Sequence, residues 1–368
     1  MVKNKQLFSY YKSLEHGYQR EYYIGEEAMQ LRGVLKLQYP VEQERLVDKK
    51  SIERILFHAF FTRLGKDPWG GQVIFCPPWD YSPARRHEGI SSNTDVGFPL
   101  KAYLSIFFSI LNLRKVTVIH PALAILLGEA VDLDCIVVHI GDGVTMITPV
   151  VDGTVHLALS RKLPLGFRHI VDYMRRLLIR RGYKFQTSVE KLILADLCKK
   201  HGRVSPHPMN IYDGNQENVV PVSLKFMLPD GEILQIKDEH IHASEIFFNP
   251  LGTFGRESPS LPIMIHEVAE ALVEDLGIVV SHVLPCGPGA FPGISARLEN
   301  ALNGGTADDH GESAFQVRAA ISPDPAYIGT SLHASKPNFI ESRCITKQAF
   351  LENPGEVSKE AFERSLKK

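Results

Sequence analysis

Apolar positions along the chain recur in two rhythms, and their alternation lays out the elements. Residues 48–65 place Ile52, Ile55, Leu56, Ala59 and Phe60 at helical spacing, with Asp48 or Ser51 able to cap the start and Gly65 able to end the helix. QVIFC then reads as a short buried strand. Ser82-Pro83 reads as an N-cap with proline at the first helical position, opening a helix through ARRHE. Residues 89–103 carry turn formers and little periodicity, which predicts a loop insertion. LSIFFSILNL is helix-like, KVTVIH strand-like, and PALAILLGEA a buried helix beginning on Pro121. CIVVHI, VTMITPV and TVHLALSRKL predict three strands of a meander.

The second half continues the alternation. RHIVDYMRRLLIRRG sets Ile170, Tyr173, Met174, Leu177 and Leu178 on one face, stops at Gly182, and turns its arginines to a solvated face. TSVEKLILADLCKKHG opens on a capping box, Thr187 with Glu190, and ends at Gly202. VSLKFMLPDGEILQIKDE predicts a hairpin turning at Pro229-Asp230-Gly231. The helix IHEVAEALVEDLG precedes IVVSHVLPCGPGAFPG, a strand running into a glycine-rich turn. After the loop NGGTADDHGES come AFQVRAAI and YIGTSLHAS, where a glycine introduces a helix. Strand and helix alternate, so the class is α/β.

At 368 residues the chain is too long for one compact core and predicts two domains or a bilobed body. Lys plus Arg total 41 against 42 Asp plus Glu, which removes any general electrostatic case for nucleic acid or an acidic membrane. The five cysteines are widely spaced and form no C-x-x-C pair, so they suggest a reducing compartment rather than disulfides or a zinc knuckle. No window approaches the length of an apolar membrane span, and the first residues hold no apolar leader core.

The candidate chemistry sits in the glycines. Gly141-Asp142-Gly143 joins two apolar runs, and its composition lets the backbone adopt positive φ and leave N–H groups open to a phosphate. An ordinary hairpin accounts for the same residues, and such turns outnumber anion sites. A second glycine-rich turn spans Gly287 to Gly293, far away in the chain, as two lobes closing on a nucleotide would require. His240 and His242 would point to one side of an extended segment and offer two imidazoles to a metal, though no third ligand is set by motif.

The segments YIGEEAMQLRGVLKLQYPVE, GDGVTMITPVVDG, RGYKF, LPDGEILQI, SEIFFNP, FPGISARL, YIGTSLHAS and ITKQAF, taken in order, resemble the actin family in its divergent actin-related branch. The likeness covers most of the chain from Tyr23 to Glu352. It implies the bilobed actin and Hsp70-type ATPase fold, with ribonuclease H-like duplicated domains and four subdomains around Mg-ATP. Residues 1–48 would be part of subdomain 2, 49–128 with 325–368 subdomain 1, 129–163 with 256–324 subdomain 3, and 164–255 subdomain 4. On this resemblance the family's first phosphate-binding hairpin is expected to be missing here, either from a truncated gene model or from the protein itself.

The resemblance also implies a damaged catalytic cleft. His139 stands where the family has the aspartate that orders magnesium waters, and neutral imidazole is a poor ligand for a hard cation. Pro121 replaces the glutamine that positions the attacking water, with His120 beside it, and Met146 replaces a histidine. Cys198 and Lys199 occupy the places of the lysine and glutamate that hold the nucleoside. Cys286-Gly287-Pro288 replaces two glycines and a threonine, so only Gly287 survives. The phosphate-gripping residues Gly141, Asp142, Gly143 and Gly287 remain, with no metal ligand set.

The resemblance therefore implies an actin-related, complex-scaffolding or cytoskeletal subunit with weak or absent ATP hydrolysis. ATP and Mg²⁺ are open as ligands, protein partners or self-association are expected, and nucleic acid and membrane are not. The cytoplasm is the expected location, with the nucleus open. Two alternatives stand beside it: a filament-forming actin-like ATPase with a truncated gene model, and a small-molecule kinase of the same superfamily. FPLKAYLSIFF serves a partner surface or simple packing.

Overall fold

The computed structural model describes residues 22–31, 33–42, 45–78, 99–130, 134–185, 187–209, 224–228, 231, 233–304, 315–322 and 324–367. The helix expected at Ser82-Pro83 and most of the 89–103 loop lie outside them. The described chain forms two compact units, one from the first 118 residues with 336–365, the other from 119–335 with the last three residues.

In the first unit, Asp48 caps the helix Lys49–Phe57 by accepting from the Lys50 amide at 3.0 Å. The helix continues as a π-helical stretch, His58–Arg63, and ends before Gly65 at φ +58°. A three-stranded sheet sets Lys115–Val118 between Gln72–Phe75, parallel, and Cys344–Thr346, antiparallel. The apolar run Leu100 to Phe108 is spent on packing: Leu100, Leu104, Ile106, Phe107 and Phe108 are buried. Phe75 meets Phe107 and Tyr103 at 5.0 Å, and Phe108 meets Phe350 at 5.1 Å. Packing is thus one use of this segment, whose first residue, Phe98, lies outside the described residues.

In the second unit the elements used below are numbered along the chain: α1 Pro121–Glu129, β1 Cys135–Ile140, β2 Thr145–Val151, β3 Thr154–Val155, β4 Arg161–Leu163, α2 Phe167–Arg180, α3 Ser188–His201, β5 Leu224–Met227, β6 Ile233–Ile236, α4 Leu261–Leu276, β7 His282–Cys286, α5 Ile294–Asn303, β8 Gln316–Val317 and α6 Pro325–Ala334. Six strands form one sheet in the order β8-β7-β1-β2, with β3 and β4 sharing the far edge of β2. β8, β7 and β1 are parallel, and the meander is antiparallel. Alternate residues Ile136, Val138 and Ile140 face a core shared with Tyr173, Met174, Ile265 and Val268 of α2 and α4.

The third strand of the meander is broken where one continuous strand was expected. Val150 faces Val155, but Ile147 faces Arg161 where an unbroken ladder would put Ala158. The 3-10 turn Leu157–Leu159 takes up the difference. Pro149 supplies the reason: its carbonyl accepts from His156 on this edge at 3.0 Å, and proline has no N–H to give there.

Two further expectations are corrected. Gly329 does not introduce a helix. α6 begins at Pro325, and Gly329 lies buried inside it. The arginines of α2 and its C-cap are largely tied down rather than simply solvated. Arg175 donates to the Phe185 carbonyl at 3.2 Å, Arg181 pairs with buried Glu239, and Arg176 lies 4.2 Å over the Phe254 ring.

The capping box of α3 forms as its sequence predicts: the Thr187 amide donates to Glu190 Oε2 at 2.6 Å, and the Glu190 amide to Thr187 Oγ1 at 3.3 Å. Thr187→Ala is expected to destabilise the second unit by about 1 kcal/mol, read from the shift in urea midpoint. The expected hairpin forms from β5 and β6, with Ile233 paired with Met227; Pro229 and Asp230 of its turn lie outside the described residues.

Candidate phosphate turn and its surroundings

β1 and β7 are neighbouring parallel strands in register Cys286↔His139, so their two glycine-rich turns leave the same end of the sheet together. The expectation that these turns belong to opposing lobes is thereby corrected, because a parallel crossover brings distant sequence onto adjacent strands. The turns are pressed together. Gly289 N donates to Ile140 O at 3.1 Å, and a Cβ on Gly287, at φ +93°, would stand 2.7 Å from that same oxygen. In open α/β sheets this end of parallel strands is where ligands bind.

The Gly141-Asp142-Gly143 turn closes without positive φ, contrary to the expectation from its composition. The left-handed residues are Asp152 and Gly153 in the next turn, at φ 48° and 67°. The turn is instead shaped by α2 laid against it. Phe167 N donates to Gly141 O and Arg168 N to Asp142 O, each at 2.9 Å. Arg168 Nε donates to Asp142 Oδ2 at 2.9 Å. Gly166 permits this approach, since a Cβ there would lie 2.6 Å from Gly141 O and 2.8 Å from Val144 N. Within the turn, Gly141 N donates to Val144 O at 2.9 Å. The amides of Asp142, Gly143 and Val144 have no acceptor among the described residues. Asp142 is exposed, whereas Gly143 and Val144 are buried and Val144 N lies against Gly166, so the Asp142 amide is the one that faces outward to an anion.

Beside this turn the side chains are soft or apolar. His139 faces Met146 across β1 and β2, and Cys286 from β7, in one row on the sheet face opposite the main core. His139 is partly exposed, and loss of hydration pushes its pKa down to about 4, so the ring is neutral near pH 7. His120 is fully buried and caps α1, its Nδ1 accepting from Ala122 N at 3.1 Å; burial pushes its pKa down to about 3. Pro121 is buried at the first helical position. Burial pushes the Cys286 thiol up as well.

The third wall comes from α3 and the turn after β7. Cys198 is buried, its thiol pushed up to about 12 by desolvation. The Lys199 ammonium lies 5.7 Å from the centroid of the Phe167 ring, which meets Phe291 edge-on at 6.1 Å. Gly202 and Gly293 allow close contact here: a Cβ would come within 2.5 Å of the Phe291 ring and 2.1 Å of Val204 O, respectively. Gly166, Phe167, Arg168 and Phe291 are site neighbours that the sequence reading missed. The available signal was a Gly-Phe-Arg run opening a helix, which resembles any helix start.

His240 and His242 do not converge. They occupy the short helix Glu239–His242, where side chains two apart diverge by about 200°. His242 Nε2 lies 3.2 Å from Asp238 Oδ2 instead. Among the described residues no group of three His, Cys, Asp or Glu side chains could hold a metal ion.

The sequence model of the family described as Actin matches residues 4–362. The chain belongs to the actin family. A protein named Actin-related protein 2 from Arabidopsis thaliana is 25% identical over 308 residues, covering 82% of this chain and 74% of that relative. Proteins of the same name from Oryza sativa, subspecies indica and japonica, are each 24% identical over 302 residues, with the same coverage. The mixed α/β architecture is thus an actin-type fold. ATP with a divalent metal is the usual ligand of this family.

The phosphate side of the turn suits that ligand, because the exposed Asp142 amide would gain an acceptor. The cation side does not. A neutral histidine, a thioether and a thiol form the row beside the turn, and none offers the oxygen that a hard ion needs. Among the described residues no helix is long and apolar enough to cross a membrane.

Proposed function

We propose that this chain is a scaffolding subunit of the actin-related kind, which grips nucleotide through its phosphates and hydrolyses it weakly or not at all. The observation carrying this reading is the exposed Asp142 amide, without an acceptor among the described residues, in the glycine turn beside a neutral His139. Bound ATP would supply a triphosphate carrying several negative charges. The backbone at Gly141, Asp142, Gly143 and Gly287 would hold it, and Gly287 would keep the second turn close enough to share the load. Arg168 holds Asp142 and so keeps the turn against α2.

Hydrolysis would need a positioned water and a clamped cation, since phosphoryl transfer is catalysed mainly by positioning and charge stabilisation. Pro121 brings no polar side chain for the water, and His139 and Met146 bring none suited to magnesium. Likeness to proteins named Actin-related protein 2 supports an actin-related role. Protein partners in the cytoplasm, or in the nucleus, complete the proposal.

The test is to titrate ATP with magnesium and again with a chelator, while following phosphate release. Removal of magnesium is expected to change ATP affinity by less than about threefold, or about 0.7 kcal/mol. Adenosine without phosphates should fail to bind over the same range. Sustained magnesium-dependent turnover would sink the proposal and revive the filament-forming ATPase.

A further inference from the structure

The row Cys286, His139 and Met146 has a use of its own. These residues stand directly opposite one another on β7, β1 and β2, so their side chains leave the same sheet face with neighbouring Cβ atoms about 5 Å apart. The imidazole leans toward β7: its Cε1 would lie 3.3 Å from a Cβ on Gly287. A thiol, an imidazole and a thioether thus share one end of the sheet, with His139 in the middle.

We propose that Cys286, His139 and Met146 form a three-coordinate site for a soft monovalent cation, Cu(I), with Cys286 Sγ, an imidazole nitrogen and Met146 Sδ as ligands. Sulfur and imidazole donors select Cu(I) over hard ions. Charge points the same way. Binding transfers the Cys286 thiol proton to solvent, and the resulting thiolate neutralises the ion's one positive charge, while the Glu129 carboxylate, which also acts on Cys286, is held by the Ile321 and Ser322 amides. Zinc also lacks further ligands, since no group of three His, Cys, Asp or Glu gathers among the described residues. Cys286 and Met146 are buried, and the partly exposed His139 provides the way in. No electron changes hands, because the ion arrives and stays as Cu(I).

The experiment uses the reduced full chain without oxygen, with Cu(I) delivered by a chromophoric Cu(I) chelator that reports competition. One Cu(I) per chain is expected. Cys286→Ser should weaken binding by at least about 100-fold and Met146→Leu by about tenfold, since loss of even outer partners costs a metal site 10–100-fold. Met146→Leu conserves volume and so keeps the fold if Cys286→Ser does not. Cys344→Ser, in the first unit, should leave affinity unchanged. Unchanged Cu(I) affinity in Met146→Leu, or binding abolished by Cys344→Ser, overturns the proposal. ATP titration of the same variants reports separately on the phosphate turn, so the two readings can fail independently.

Discussion

Gly329→Ala is expected to lower stability by about 3 kcal/mol, although alanine is the better helix former by about 1 kcal/mol. Gly329 sits inside α6 where it crosses α1 at Gly128. A Cβ on Gly329 would stand 1.9 Å from Ala124 O and 2.7 Å from Gly128 N. A Cβ on Gly128 would stand 2.2 Å from Pro325 O. Every one of these obstacles is backbone, so no side chain can swing aside and the helices must separate. Gly355→Ala provides the control. That glycine lies in the helix Pro354–Ser365 with nothing within 4 Å of its virtual Cβ, and alanine there should stabilise by up to about 1 kcal/mol. Urea midpoints of the two variants should move in opposite directions.

The second large effect is acid sensitivity. His120 and His139 have folded pKa values of about 3 and about 4, against 6.5 for an unperturbed histidine. Both are depressed, because burial disfavours the charged ring. Their contribution to stability is therefore full above pH 6.5 and is lost as pH falls toward 4 and then 3. Across that window each histidine removes about 1.4 kcal/mol per pH unit. A fall from pH 6.5 to 4.5 should cost about 5 kcal/mol for the pair, as much as many domains possess. His120→Asn keeps a side chain able to cap α1 and removes one of the two titrations, so its acid loss over the same range should be about half. Urea melts at stepped pH give the slopes directly.

Local rules made much of this fold readable. Asp48, the Thr187-Glu190 box and the apolar stripe of α2 each specify structure through neighbours a few residues away, and each forms as expected. The errors arise where a distant partner decides. Gly329 looked like a helix opener because its reason for being glycine lies in α1, about 200 residues earlier in the chain. Gly141 and Gly143 looked like positive-φ residues, yet the turn is set by α2 lying across it. His240 and His242 follow a pattern equally compatible with strand and helix over so short a span. At the candidate site the chain's own turns were legible, while the row linking Cys286, His139 and Met146 required the parallel register of β7 on β1.

Glu129 ends α1 with its carboxylate accepting from Ile321 N at 2.9 Å and Ser322 N at 3.0 Å, across separations of 192 and 193 residues. Every residue of α1 except Gly128 is buried, so this helix has no face of its own for water. A ribosome adding about 5–20 residues per second delivers the amides and α6 only about 10–40 s after α1 emerges. Throughout that interval a greasy nascent helix waits without its mate. The close crossing of the finished protein thus leaves the apolar surface of this helix to be covered by segments made long after it.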